Sequence, residues 1–270
     1  MRKGFWKRGF LQGLVPYSTV PRVDGALYVV GDVHGRLDLL EQMIDRILRD
    51  SLRLDDMNGV PPVLAFVGDL IDRGPQSAGV LEFLLAVREW PEFETVFIAG
   101  NHELMLQHFL NNPVKGRHWV RFGGYETLLS YGLSRIGDPD DPDDLLALSM
   151  QLRKAMGQHA AFIAQMVPQF QLGNVMVTHA GADPQKPADA QLPQVLAWGC
   201  DDFLRMRRSD GLWVVYGHHI VDAPSLRNGR IAVDTGAYTT GCLTALRLVG
   251  DMGGFISVSG DGAAEQEVFS

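Results

Sequence analysis

Carboxylate, amide and imidazole side chains recur in this chain at the ends of apolar runs. Asp32 and His34 lie in Gly31-Asp32-Val33-His34-Gly35. Asp69, Asp72 and Arg73 lie in Gly68-Asp69-Leu70-Ile71-Asp72-Arg73-Gly74, and Asn101 and His102 in Gly100-Asn101-His102-Glu103; His179 and His218 come later. On an extended backbone Asp32 and His34, two apart, share a face. Asp69 can bridge two cations through its two carboxylate oxygens. Asn101 offers a neutral carbonyl oxygen, and His179 and His218 offer neutral imidazoles. This mixed oxygen and nitrogen set suits Mn, Fe or Zn better than Ca, which takes oxygen ligands, or a thiolate-bound structural zinc. Two divalent ions ~3.5–4 Å apart would clamp a phosphoryl oxygen and lower the pKa of a bound water toward ~7. Hydroxide is then available near neutral pH with no protein nucleophile. A lone histidine in a turn is ordinarily structural, but four of the eight histidines (34, 102, 179 and 218) fall at these positions. His108, His118 and His159 lie on helical or loop segments without such partners.

The elements that must position these groups are legible in the pattern. Residues 26–30, 63–67 and 95–99 are apolar runs, each followed by one of the three motifs. They read as buried strands whose carboxyl ends carry the chemistry, the usual place in open α/β sheets. Residues 38–50 have helical apolar spacing, with Asp38 as N-cap, and residues 77–90 form a second helix stopped by Pro91. Strand and helix alternate, which implies a parallel sheet. The run 138–144, Asp-Pro-Asp-Asp-Pro-Asp-Asp, reads as a broken loop whose acids favour the start of a helix over 145–156. Short strands are expected at 175–178, 213–216, 231–233, 243–249 and 255–258, with a tight turn at Arg227-Asn228-Gly229-Arg230. The fold class is α/β: two packed mixed sheets with helices outside, an αββα sandwich. The expected organisation is a leader over 1–25, one catalytic domain over 26–260 and a tail over 261–270.

Composition narrows the function classes. The chain has 270 residues, 46% hydrophobic, enough for a sizeable core. A net charge of −8 argues against a general nucleic-acid surface. Cys200 and Cys242 form no CxxC pair, which fits reduced thiols and a cytoplasmic location. No run approaches the ~20 apolar residues of a membrane span. The basic and aromatic N-terminus lacks the apolar stretch of a secretory signal. No heptad is present, so monomer is the default expectation.

The three motifs resemble the GDxHG, GDxxDRG and GNHE signatures of the phosphoprotein phosphatase (PPP) family, within the calcineurin-like metallophosphoesterases. Thr178-His179-Ala180-Gly181, Gly217-His218 and Asp234-Thr235-Gly236-Ala237-Tyr238 extend the match, which covers about residues 28–249 and is nearest to bacterial members of the lambda phage type. The resemblance implies a first metal on Asp32, His34 and Asp69. A second would lie on Asp69, Asn101, His179 and His218, with Asp69 bridging. It implies His102 as general acid, Asp72 as the carboxylate that orients it, and Arg73 as a forked grip on phosphate. Asn101 and Tyr238 join Arg73 on the substrate side. Two divalent ions, Mn foremost with Fe and Zn accommodated, would be the cofactors, and a metal-activated water the nucleophile.

Three departures bear on the substrate. The family's further phosphate-gripping arginine after a tryptophan is missing, because Trp198 is followed by Gly199 and Cys200. Arg205, Arg207 or Arg208 are the candidates to replace it. Ile220 stands where broader metallophosphoesterases carry the second histidine of Gly-His-x-His, against a nuclease or cyclic-nucleotide esterase, and His219 would point elsewhere. Asp72-Arg73 and Glu103 tilt away from diadenosine tetraphosphatases, which tend to lack that pair and to end the third motif in GNHD. The leading expectation is therefore a phosphomonoesterase, a serine/threonine or tyrosine protein phosphatase, acting on a phosphoprotein or small phosphomonoester. The alternatives are a dinucleoside polyphosphate hydrolase, with Trp119, Phe122, Tyr125 and Tyr238 as candidate adenine-stacking residues, and a catalytically weak phospho-binding scaffold.

Overall fold

The computed structural model describes residues 19–54, 60–134, 137–138, 140–260 and 264–269. Most of the expected leader (1–25) lies outside the described residues. Among the described residues, eleven strands form two sheets: β1 (Ala26–Val30), β2 (Val63–Phe66), β3 (Glu94–Phe97), β4 (Gln169–Leu172), β5 (Val175–Thr178), β6 (Trp213–Tyr216), β7 (Ser225–Arg227), β8 (Arg230–Ala232), β9 (Cys242–Val249), β10 (Met252–Ser259) and β11 (Ala264–Phe269). The six-stranded sheet has the order β11-β10-β9-β1-β2-β3, and the five-stranded sheet β4-β5-β6-β8-β7. β1, β2 and β3 run parallel in one sheet, and β5, β6 and β8 in the other.

Alternation along the strands builds three layers of core. Leu27, Val29, Val63 and Ala65 meet Val175, Val177 and Val215 between the sheets. Tyr28, Val30, Leu64 and Phe66 face the helices on one outside. Met176, Val214 and Tyr216 pack against Leu196 and Phe203 on the other. Both faces are buried, so these strands read as continuous apolar runs. The expected sandwich of two mixed sheets between helices is the observed architecture.

The helices are α1 (Leu37–Ser51), α2 (Ser77–Val87), α3 (Asn101–Asn111), α4 (Pro113–Gly116), α5 (Tyr125–Ser130), α6 (Pro142–Met156), α7 (Gln158–Ala164), α8 (Pro193–Trp198), α9 (Asp201–Arg205) and α10 (Ala237–Thr240). In α1 the residues Leu39, Leu40, Met43, Ile44 and Ile47 are buried, as their spacing predicts. Arg36, not Asp38, is the N-cap; the Asp38 carboxylate accepts from Arg36 Nε (2.8 Å) and Nη2 (2.6 Å) instead. α2 stops at Val87, and Trp90 belongs to the turn that follows. The acidic run begins α6 three residues earlier than expected. Asp141 caps it by accepting from the Asp143 and Asp144 amides, with Pro142 in the first turn. Asn228 (φ 56°) and Gly229 (φ 75°) make the tight turn between β7 and β8. The segment expected as a tail instead supplies β11, antiparallel to β10 at the sheet edge.

One partly buried polar knot ties α1 to the large sheet. The Tyr28 hydroxyl donates to Asp50 Oδ2 at 2.6 Å, and Arg247 Nε donates to the same oxygen at 2.5 Å. β1, β9 and the end of α1 thus share one carboxylate. Tyr28→Phe should cost about 1 kcal/mol of stability, the net worth of one hydrogen bond. Asp50→Ala should cost about 2–3 kcal/mol, because it leaves a buried hydroxyl and a guanidinium unpaired. Urea denaturation of both variants checks the order.

Candidate functional site

The parallel strands of both sheets end at one edge, and their C-terminal loops carry the candidate residues. These loops are packed so closely that backbone meets backbone. A Cβ on Gly68 (φ 103°) would lie 2.5 Å from Gly100 N, and one on Gly74 would lie 2.0 Å from His34 O. Glycine at those two places lets the three motifs touch. Glu103 locks the second motif to the third: its carboxylate accepts from the amides of Asp69 (2.9 Å), Leu70 (2.8 Å) and Gly100 (2.9 Å). Burial and the nearby Asp69 push Glu103 up to about 7, against which the amide donors act. Sequence reasoning used Glu103 only to sort subfamilies and missed this structural role. The signal was present, since a glutamate three residues into a helix is a capping-box position.

The loops are also strained. Among the described residues, six non-glycine residues have positive φ, and five of them are candidate site residues: His34 (45°), Asp69 (48°), Asp72 (72°), Arg73 (68°) and His218 (62°). A left-handed conformation costs an L-residue roughly 1–2 kcal/mol, and such strain concentrates at functional sites.

Asp69 is the centre of the cluster. His34 Nε2 lies 3.5 Å, His179 Nε2 3.4 Å and His102 Nε2 3.9 Å from its Oδ2. His34 Nδ1 is 2.9 Å from Ile71 O and His179 Nδ1 is 3.0 Å from Val67 O. A carbonyl can only accept, so each Nδ1 carries a proton, and each ring in its neutral form presents its Nε2 lone pair. Those lone pairs face an anionic oxygen, an arrangement that a cation between them resolves. His179 Nε2 also faces Asn101 Oδ1 (2.9 Å) and His218 Nδ1 (3.2 Å). Among the described residues, two groups could each hold a metal ion, His34 with Asp69 and His102, and Asp69 with His179 and His218. The donor set therefore fits a pair of divalent ions sharing Asp69.

Electrostatics show the same demand for positive charge, which a proton on His179 meets when no cation is bound. Burial opposes a charged ring at His179, but Asp69 and Asp32 outweigh it and push its pKa up to about 10. Burial alone would raise Asp69, yet His179 and His102 hold it well below the usual carboxylate range. Burial pushes His34 down to about 3, and burial with His179 pushes His218 down to about 4. Asp32 falls outside both three-donor groups. Its carboxylate accepts from the His218 amide (3.0 Å), and burial with the neighbouring Asp234 holds it well above the ordinary range. Asp234, which follows β8, is itself pushed by burial up to about 6. Two adjacent buried acids also favour positive charge between them.

His102 projects from the first turn of α3. Its Nδ1 is 2.7 Å from Asp72 Oδ2, and the same oxygen accepts from the Trp119 indole at 2.8 Å. The Thr127 hydroxyl donates to Asp72 Oδ1 at 2.6 Å, so the orienting carboxylate is held on both oxygens. Burial disfavours imidazolium at His102, but Asp69 and Asp72 outweigh it and raise its pKa. Arg73 is exposed, with Nη1 3.3 Å from His34 Nε2 and its guanidinium 4.7 Å from the centre of the Tyr238 ring.

The candidates for the missing arginine fare differently. Arg208 is buried and spent on structure: it pairs with Asp210 and donates to the Asp183 and Lys186 carbonyls. Arg205 is exposed in the last turn of α9, and Arg207 is half-buried in the stretch that follows. His219, expected to point elsewhere, lies beside the cluster. Its ring is 5.0 Å from that of His218, and its Nε2 is 3.5 Å from the place of a Gly199 Cβ. Of the aromatic candidates, Trp119 is buried, while Phe122 (60%) and Tyr125 (40%) are exposed.

The strained backbone generates a prediction. Arg73→Gly should be more stable than Arg73→Ala by about 1 kcal/mol, because only glycine adopts φ near 68° without cost. Thermal unfolding of the pair decides it; equal midpoints would mean the loop relaxes.

Comparison with known proteins places this geometry. The chain is 28% identical over 242 residues to the asymmetrical bis(5'-nucleosyl)-tetraphosphatase PrpE of Bacillus subtilis strain 168, covering 81% of this chain and 89% of that protein. It is 27% identical over 237 residues to the protein of the same name from Halalkalibacterium halodurans, covering 81% and 88%. Among solved structures, a crystal structure of a proposed diadenosine tetraphosphatase has a TM-score of 0.52 at 20% identity, covering 93% of this chain and 97% of that one. A serine/threonine phosphatase from Saccharomyces cerevisiae similar to human PP5 has a TM-score of 0.50 at 15% identity, covering 92% and 80%. These two likenesses describe the fold. The family model of calcineurin-like phosphoesterases matches residues 26–222, and the chain belongs to that family, as a metallophosphoesterase acting on phosphoester bonds.

Proposed function

We propose that the protein hydrolyses dinucleoside polyphosphates, cutting the polyphosphate bridge off centre. The observation that carries this is the match to relatives named as asymmetrical tetraphosphatases, over four fifths of this chain and nearly nine tenths of theirs. The motif argument from Asp72-Arg73 and Glu103 favoured a protein phosphatase. That argument is weakened by the contacts of Glu103, whose carboxylate clamps two loops, and of Asp72, which hydrogen-bonds His102; both suit either leaving group.

Asp32, His34 and Asp69 would hold one divalent ion, and Asp69, Asn101, His179 and His218 the other; manganese, iron and zinc all suit these donors. When bound, the pair would polarise a phosphoryl oxygen and make water nucleophilic near neutral pH. Every other task falls to side chains. Arg73, exposed at the mouth and backed by Tyr238, grips non-bridging phosphate oxygens with its planar fork. His102, held protonated by Asp69 and Asp72, delivers a proton from Nε2 to the departing phosphate oxygen. Trp119 and Thr127 keep Asp72 from turning away. His219, beside Gly199, supplies a hydrogen-bond donor on the side where the arginine is missing.

The purified, manganese-supplied protein should convert diadenosine tetraphosphate into unequal adenine nucleotides faster than it dephosphorylates phosphopeptides. Nucleotide chromatography reads this directly; a phosphopeptide rate well above the dinucleotide rate would reverse the assignment. Asp69→Asn should drop bound metal below one equivalent per chain with near-complete loss of turnover. His102→Asn should retain metal and lose roughly 10²–10⁴ in kcat, the usual worth of a general acid. Asp72→Asn should move the alkaline limb of kcat to lower pH. The acid must be protonated to act, and removing a carboxylate that raises its pKa makes it lose its proton sooner. An unmoved limb would separate Asp72 from the proton transfer.

A further inference from the structure

A groove of about 300 Å³ opens between α3, α4 and α8, lined by Leu104, Met105, His108, Lys115, His118 and Trp198, with Gly116 and the Trp119 edge at its base. A larger cleft of about 380 Å³ lies between the sheet edges at β3 and β4 and touches none of the candidate site residues. The smaller groove adjoins the site on two sides. Leu104 and Met105 directly follow His102 and Glu103 on α3, and Trp119 donates to the Asp72 oxygen that orients His102. Trp198 ends α8, and the next residue, Gly199, packs on Ala180, which follows His179.

Resting on the proposed dinucleotide substrate, we infer that this groove is the subsite for one of its purine nucleosides, with the base stacked on Trp198. The walls are an indole face, a thioether and a leucine side chain, surfaces that suit a flat aromatic ring. Trp198 keeps 38% of its surface exposed, whereas Trp119 and Trp213 are buried. The size fits one nucleoside and not two, being at the lower limit of small-molecule sites. The rim is basic on a chain of net charge −8: Lys115 has no carboxylate partner among the described residues, and His108 and His118 add ring nitrogens. An apolar floor with the Lys115 ammonium at its rim matches a base that leads into an anionic phosphate chain. A phosphopeptide would need no planar stacking wall. Glycine at 116 lets α4 close on α3 beside the groove, since a Cβ there would lie 2.4 Å from Phe109 Cα.

The test compares two substrates on the manganese-loaded full chain. Trp198→Leu keeps the apolar wall but removes the stacking face. The ratio of kcat/KM on diadenosine tetraphosphate to that on p-nitrophenyl phosphate should fall about tenfold, mostly through KM, as loss of one base–aromatic stack predicts. Lys115→Ala, an exposed change with little effect on folding, should lower the same ratio a few-fold, the more so at low salt. Tryptophan fluorescence should be quenched by AMP in wild type, and less in Trp198→Leu. An unchanged ratio in both variants, with the dinucleotide still cleaved by wild type, overturns the subsite and leaves the proposed function standing. A loss seen on phosphopeptides and not on the dinucleotide also overturns it, in favour of a peptide groove. If wild type does not cleave the dinucleotide, the proposed function fails. The quench then decides the subsite alone: present and Trp198-dependent supports it, absent overturns it.

Discussion

Everything in this site is arranged about one carboxylate oxygen. Asp69 Oδ2 has three imidazole nitrogens within 3.9 Å, and two of those rings are held by backbone carbonyls in the tautomer that turns a lone pair toward it. Neutral rings in that tautomer do not attract an anion, and burial opposes charging them, so this convergence must be imposed by the chain. The imposing elements are visible. Glu103 fastens the Asp69 loop to the start of α3, and Gly68 and Gly74 allow backbone contacts that any side chain would block.

That imposition is energetically costly, and the cost is concentrated in a few residues. His34, Asp69, Asp72, Arg73 and His218 all occupy left-handed backbone, and several charged groups are buried beside them. The two sheets offset this with three layers of apolar core, and the Tyr28–Asp50–Arg247 knot braces the sheet against α1. A scaffold with rigid strand ends can hold strained loops within the small tolerances that phosphoryl chemistry requires.

Chemistry at such a cluster stops at phosphorus and its oxygens, so the cluster by itself does not separate a phosphoserine from a dinucleotide. What separates such substrates is whatever lies around the cluster. Here that includes an aromatic groove beside His102, an exposed Arg73 stacked on Tyr238, and His219 on the side that lacks an arginine. Within the cluster, Glu103 is tied to loop geometry and Asp72 to the orientation of His102, contacts that do not involve a leaving group.

The amino-acid order alone determined the alternation of strands and helices and the burial of the central strands, and it marked Asp32, His34, Asp69, Asn101, His102, His179 and His218 as candidates. Each of these depends on local spacing: apolar period, a turn after a strand, donor types a few residues apart. Short or irregular elements were not legible. β4 and β7 are three or four residues long and only partly buried, and β11 is a strand because β10 offers it an unpaired edge. Asp38 looked like a helix cap until Arg36 claimed its carboxylate. The clamp by Glu103, the double hold on Asp72 by Trp119 and Thr127, the approach of His219 and the Trp198 groove join residues from about 30 to 90 positions apart or lie across separate helices. Only the packing of the two sheets, which brings their strand ends to one edge, could decide those contacts.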